Sequence, residues 1–215
     1  MRVFCNVAAS VDGRIGPPER AHVSFGSDED HRRMAVLRRQ ADAIVTGGAT
    51  FRAWPQAMVE NGARLTGSPP RAAPPFNVVV TAGGGLPLGA PMFADPRVRP
   101  LVIQPESAAQ PDLPGRVELV RLNPVTARGI LDALAARGVE HVLLESGGGL
   151  TGMFFRERLV DELHLTLAPL VLAGQGAPTP VDGPAFRPAE APRLSLVNCS
   201  VVGDEVFLHY HVARE

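Results

Sequence analysis

His141-Val142-Leu143-Leu144-Glu145-Ser146-Gly147-Gly148-Gly149-Leu150 carries a short, mostly apolar run into three consecutive glycines and out into a helical segment. The apolar part is too short for a helix and reads as a buried strand. The glycines let backbone N–H groups approach an anion closely. The helix placed from about Leu150 to Leu159 turns the positive end of its dipole to the same spot. A side chain at Gly148 would obstruct that approach. The dinucleotide fingerprint GxGxxG is not matched, so an ordinary Rossmann domain is not indicated. A plain strand-to-helix turn is the bland alternative.

The same grammar recurs upstream. Ile44-Val45-Thr46-Gly47-Gly48-Ala49-Thr50-Phe51 is a second strand, glycine pair and helix start, with Thr50 read either as a cap or as a hydroxyl for a ligand phosphate. Further short β-branched runs lie at Val3 to Ala8, Asn77 to Thr81, Leu101 to Ile103, Val117 to Leu122 and Leu163 to Leu167. Ser27 ahead of Asp28, Glu29 and Asp30 predicts an N-cap with acids in the first turn. Asn123-Pro124 predicts a second cap, Ile130, Leu131 and Leu134 its apolar face, and Gly138 its end. Strands alternating with helices give an α/β fold with a mixed, mostly parallel sheet flanked by helices. Ser195 to Val202 and Glu205 to Val212 flank Gly203-Asp204 and predict a C-terminal antiparallel hairpin. Residues 1–215 are read as one domain, since neither the Glu60 to Pro75 loop nor the Leu172 to Pro192 loop makes a clear linker.

Composition removes several classes of function. The 215 residues carry 21 basic and 22 acidic side chains, which gives no electrostatic case for nucleic acid or an anionic membrane. Every basic residue is Arg, so a lysine Schiff base and a P-loop lysine are both excluded. Cys5 and Cys199 stand far apart without a CxxC pair, which suits a reducing, cytoplasmic compartment. The apolar start is broken by Asp12, and so is neither a signal peptide nor a membrane span.

Candidate chemistry gathers at strand ends, where ligands sit in open α/β sheets. Glu145 is a carboxylate at the end of an apolar strand, costly to bury unless paired or functional. Asp28, Glu29 and Asp30 are explained as dipole partners, and Arg38 and Arg39 close the same helix. Asp12-Gly13 reads as a turn. His209 and His211 alternate on a strand with no evident third ligand or acid, so no metal is expected.

Four motifs in order resemble the riboflavin-biosynthesis pyrimidine reductase family, the reductase part of the bifunctional deaminase-reductase. They are Ala9-Ser10-Val11-Asp12-Gly13, the run Leu37 to Ile44 leading into Gly47-Gly48-Ala49-Thr50, Glu145 to Leu150, and Leu159 to Leu163 followed by Pro169 and Gly174-Gln175-Gly176. The resemblance implies a dihydrofolate-reductase-like fold, a homodimer, and NADPH as cofactor. It implies cofactor contacts at Ala9, Ser24, Gly48, Thr50, Thr81, Gly147, Gly148, Gly149 and Leu150. It implies substrate contacts at His22, Arg38 and Glu145, with Arg38 on a substrate phosphate. Trp54 stands where the family carries an acid, and no basic residue follows Thr81 for a 2′-phosphate.

The activity so implied is that of a 5-amino-6-(5-phosphoribosylamino)uracil reductase, taking the ribosylamino group to ribitylamino. Glu145 is then the candidate to orient substrate or relay a proton. A reductase of dihydrofolate or another pterin, and a non-catalytic nucleotide-binding protein, are the alternatives. The pterin reading requires a carboxylate on the first helix that faces the ring.

Overall fold

The computed structural model describes residues 1–19, 23, 26–60 and 73–213. Nine strands form one sheet: β1 Arg2–Ser10, β2 Ala43–Gly47, β3 Phe76–Val80, β4 Arg99–Pro105, β5 Glu118–Leu122, β6 His141–Leu144, β7 Glu162–Ala168, β8 Leu194–Val202 and β9 Glu205–Val212. Their order is β5-β4-β3-β2-β6-β1-β7-β9-β8. All pairings from β5 to β7 are parallel, and β9 joins β7 and β8 antiparallel. The helices are α1 Asp28–Gln40, α2 Gly48–Ala53, α3 Pro91–Ala94, α4 Ala127–Ala135 and α5 Gly148–Arg156.

Successive strand residues point to opposite faces, so the apolar runs serve two cores at once. Val3, Cys5, Val45 and Leu144 pack with Ile130 and Leu134 of α4 and Phe154 of α5. Phe4, Ile44 and Leu143 pack with Leu37 of α1, Phe51 of α2 and Phe93 of α3. The hairpin lies where the sequence places it. Its outer strand β8 is a sheet edge whose Leu194, Leu196 and Val201 are 40, 56 and 65% exposed.

The helix ends differ in detail from the sequence reading. Ser27 does cap α1, its hydroxyl accepting from the Asp30 N–H. The cap of α4 is Thr126, whose hydroxyl accepts from Gly129, while Asn123-Pro124 lies outside the helix as a cis peptide. Helix α5 begins at Gly148 rather than Leu150, and stops when Arg158 turns into the left-handed region at φ 55°.

Register also corrects the reading of the C-terminal histidines. His209 of β9 lies opposite His164 of β7, and His211 opposite Glu162. An acid and a further imidazole therefore face His209, although both are far from it in sequence.

Candidate functional site

Strands β2 and β6 are hydrogen-bonded neighbours, so their carboxyl ends deliver the two glycine turns side by side. The Gly147 N–H donates to the Thr50 hydroxyl at 3.0 Å and ties the turns together. Thr50 is thus no helix cap; Gly47 is the N-cap of α2. A cavity of about 720 Å³ opens at this end of the sheet, where an α/β fold binds ligands. Gly48, Thr50, Thr81, Glu145, Gly149 and Leu150 are among the residues lining it.

The N-terminus of α5 leaves its first backbone N–H groups without intrahelical partners, a donor set suited to phosphate. Open approach belongs to Gly149, where an added Cβ meets nothing within 4 Å. Gly148 is glycine for another reason. A Cβ there would overlap the Thr179 carbonyl and press on the Asp182 carboxylate. The 179–182 segment of the protein, rather than a ligand, makes Gly148 necessary.

Opposite these turns stands a buried ion pair. Arg38 Nε lies 2.9 and 3.1 Å from the two Glu145 oxygens, Nη2 lies 2.6 Å from Oε2, and Nη1 donates to the Val59 carbonyl at 3.1 Å. Side-chain exposures of 6 and 11% keep water away from the pair. The Arg38 guanidinium makes these contacts to Glu145 and Val59 and also lines the cavity. Trp54 lies beside it, its ring centre 6.0 Å from the guanidinium carbon.

Two further side chains that the sequence left aside stand at or beside the site. Asp30, the last of the acids in the first turn of α1, also lines the cavity instead of merely complementing the dipole. Burial raises its pKa above the ordinary aspartate value, and the nearby Glu205 carboxylate pushes the same way against the Thr166 hydroxyl. The pterin reading requires such a carboxylate on the first helix, and the structure supplies it. Arg52 follows Thr50 by two residues, so it returns over the start of α2. A Cβ built on Gly48 would lie 3.3 Å from Arg52 Nη1 and 3.0 Å from Thr81 Oγ1. A guanidinium therefore does stand near Thr81, brought from α2 instead of from the residues after it.

Other expected positions fall elsewhere. Ala9 is buried in β1, and Val7 and Ala8 of the same strand line the cavity in its place. His22 and Ser24 lie outside the described residues. Asp12 does more than turn the chain. Its carboxylate accepts from the Ser10 hydroxyl at 2.6 Å and from the Leu172 and Ala173 N–H groups at 3.0 and 2.8 Å. That clamp explains the Ser-Val-Asp-Gly element structurally.

Comparison with known proteins agrees with this architecture. The chain is 31% identical to the 2,5-diamino-6-ribosylamino-4(3H)-pyrimidinone 5′-phosphate reductase of Archaeoglobus fulgidus over 195 residues, covering 86% of this chain and 87% of that one. It is 32% identical to the protein of that name from Methanothermobacter thermautotrophicus over 220 residues, covering 98% and 97%. Its fold matches that of Acinetobacter baumannii RibD with a TM-score of 0.79 at 23% identity, covering 99% of this chain and 58% of that chain. The architecture is accordingly the dihydrofolate-reductase-like α/β fold of RibD reductase domains. The profile described as the RibD C-terminal domain matches residues 1–208, and this chain belongs to that family.

Proposed function

We propose that this chain reduces the ribosylamino group of a pyrimidine 5′-phosphate to its ribitylamino form in riboflavin biosynthesis, with NADPH as hydride donor. The observation that carries the reading is the cavity at the carboxyl ends of β2 and β6. Two glycine turns and a helix N-terminus form one wall, and the carboxyls of Asp30 and Glu145 stand in the same enclosure. Bound NADPH would supply the hydride to C1 of the imine form of the sugar.

Gly48, Thr50, Thr81 and residues Gly147 to Leu150 are the assigned cofactor contacts, with the α5 N-terminus for the pyrophosphate. Ala9 would contribute through its backbone. Ser24 and His22 keep the cofactor and substrate roles implied by family resemblance. Arg52, near Thr81, is assigned the 2′-phosphate of NADPH as a charge-assisted donor. Arg52→Ala is expected to weaken NADPH binding by about 1–2 kcal/mol, roughly 5–30-fold, and to leave NADH binding unchanged. Calorimetry with the two cofactors reads this directly, and an equal loss for both would remove Arg52 from the 2′-phosphate.

Glu145, fixed by Arg38, presents acceptor oxygens to the amino groups of the pyrimidine. Arg38 acts through Glu145 as a positioning residue. Asp30, whose pKa burial raises, is assigned to give a proton to the imine nitrogen as the hydride arrives. The two archaeal relatives are named for a diaminopyrimidinone, and two cavity carboxyls suit a ring rich in amino groups. The Asp30 placement equally favours a dihydrofolate-like pterin. NADPH oxidation with the diaminopyrimidinone phosphate, its uracil counterpart and dihydrofolate separates the three. Turnover of the diaminopyrimidinone phosphate is expected, and binding of NADPH without turnover of any of them would leave only a nucleotide-binding protein.

The assembly we assign is a homodimer through β8. Leu194, Leu196 and Val201 share one face of that edge strand and are exposed, a pairing liability unless covered. Sedimentation equilibrium is expected to give twice the 22.8 kDa chain mass. The Leu196→Lys/Val201→Lys variant should sediment as the monomer, and a monomeric wild type would contradict the assignment. We place the enzyme in the cytoplasm, which suits its two free thiols; among the described residues no helix is long and apolar enough to cross a membrane.

A further inference from the structure

At the amino-terminal end of β7, away from the glycine turns, three donors converge on one face of the sheet. Antiparallel register sets His164 against His209, and their rings stack with centroids 4.1 Å apart. Glu162, two residues before His164, lies on the same face. Its Oε2 is 2.9 Å from His209 Nε2 and 3.6 Å from His164 Nε2. All three donor atoms lie within 4.8 Å of one another.

His164 Nε2 is buried and has no hydrogen-bond partner among the described residues. A buried ring nitrogen left without a partner is costly, and a native structure rarely leaves one. Arg2 already satisfies Glu162 from one side, with Nε to Oε1 at 2.6 Å and Nη2 to Oε2 at 2.9 Å. Neither it nor the His209 contact reaches the orphaned nitrogen.

We propose that Glu162, His164 and His209 form a binding site for a divalent transition-metal ion of the zinc class. Two imidazoles and one carboxylate are a donor set that zinc takes, with a fourth position left open. Zinc–ligand bonds of about 2.0–2.2 Å in a tetrahedron set donors roughly 3.3–3.5 Å apart, and the Glu162 separations bracket that spacing. Because the two rings are stacked nearly parallel, one imidazole turns about its side-chain torsions to bring its lone pair onto the ion. The ion also replaces the proton shared by His209 and Glu162. It thereby fastens β7 to β9, where the parallel sheet meets the antiparallel hairpin. Arg2 becomes the outer partner that orients the carboxylate and, as a nearby cation, limits the affinity. The site shares no ligand with the cavity and does not depend on the function assigned to it.

The test uses chelator-treated, full-length protein without a histidine tag, titrated with zinc alone and separately with cobalt alone. Calorimetry is expected to give one zinc ion per chain and a raised melting temperature. The cobalt form should show the visible absorption of a tetrahedral site. His164→Asn and His209→Asn should each weaken zinc by at least the roughly 10–100-fold that outer partners alone are worth, while Cys199→Ser changes nothing. Arg2→Gln, which removes a cation and leaves both imidazoles, should tighten zinc binding. Should the histidine variants fail to fold, the Arg2→Gln result and the wild-type cobalt spectrum decide. Wild-type protein without saturable zinc binding, zinc binding retained in both histidine variants, or zinc weakened by Arg2→Gln would overturn the proposal.

Discussion

Asp30→Asn is expected to lower kcat by about 10²–10⁴-fold, the range that a positioned general acid contributes, while leaving NADPH affinity unchanged. The amide keeps the shape of the side chain in the cavity wall but cannot give up a proton. Burial raises the Asp30 pKa, and the Glu205 carboxylate adds to the effect. The acid form therefore persists to higher pH than in an ordinary aspartic acid, and activity should fall as pH rises through that raised value. The stability linkage has the same sign. A carboxyl whose folded pKa exceeds its unfolded one stabilises the protein at low pH, and that contribution is lost as pH rises through the folded value. Asp30→Asn should flatten both dependences. A pH–rate profile of the variant that coincides with wild type would assign the proton to solvent water instead.

Arg38→Met should cost roughly 3–5 kcal/mol of folding stability, because it leaves the Glu145 carboxylate buried without its partner. Urea denaturation measures the loss. A double variant, Arg38→Met with Glu145→Leu, removes both charges and should recover most of it, since an apolar pair of similar volume avoids the desolvation cost. Enzymatically the double variant should be inactive although folded. This pattern separates the two roles open to Arg38. A phosphate anchor would mainly raise KM for the phosphorylated substrate and leave stability almost untouched, whereas a positioning residue for Glu145 lowers stability and kcat together.

The sequence by itself determined the strands, the longer helices and where phosphate chemistry could sit, while the short α3 was not read from it. Strands buried in the sheet need continuous apolar runs, and a glycine turn into a helix is a local signal, so the existence of β1 to β7 and of both turns is legible, though not every strand end. The Ser27 cap and the hairpin around Gly203-Asp204 are equally local. Roles that depend on distant partners were not legible. Arg38 reads as a helix-end charge until Glu145, 107 residues away, is set against it. Asp30 reads as a dipole partner until α1 is docked with its first turn over the cavity. Gly148 reads as room for a ligand until the 179–182 segment is seen to occupy the place of its Cβ. His209 has no acid or second imidazole in its own strand's pattern, and receives Glu162 and His164 from β7 only through sheet pairing. Periodicity and turn chemistry act over a few residues and are written in order along the chain. Ion pairs, desolvation and close packing act through space, so only the tertiary structure decides which side chains share them.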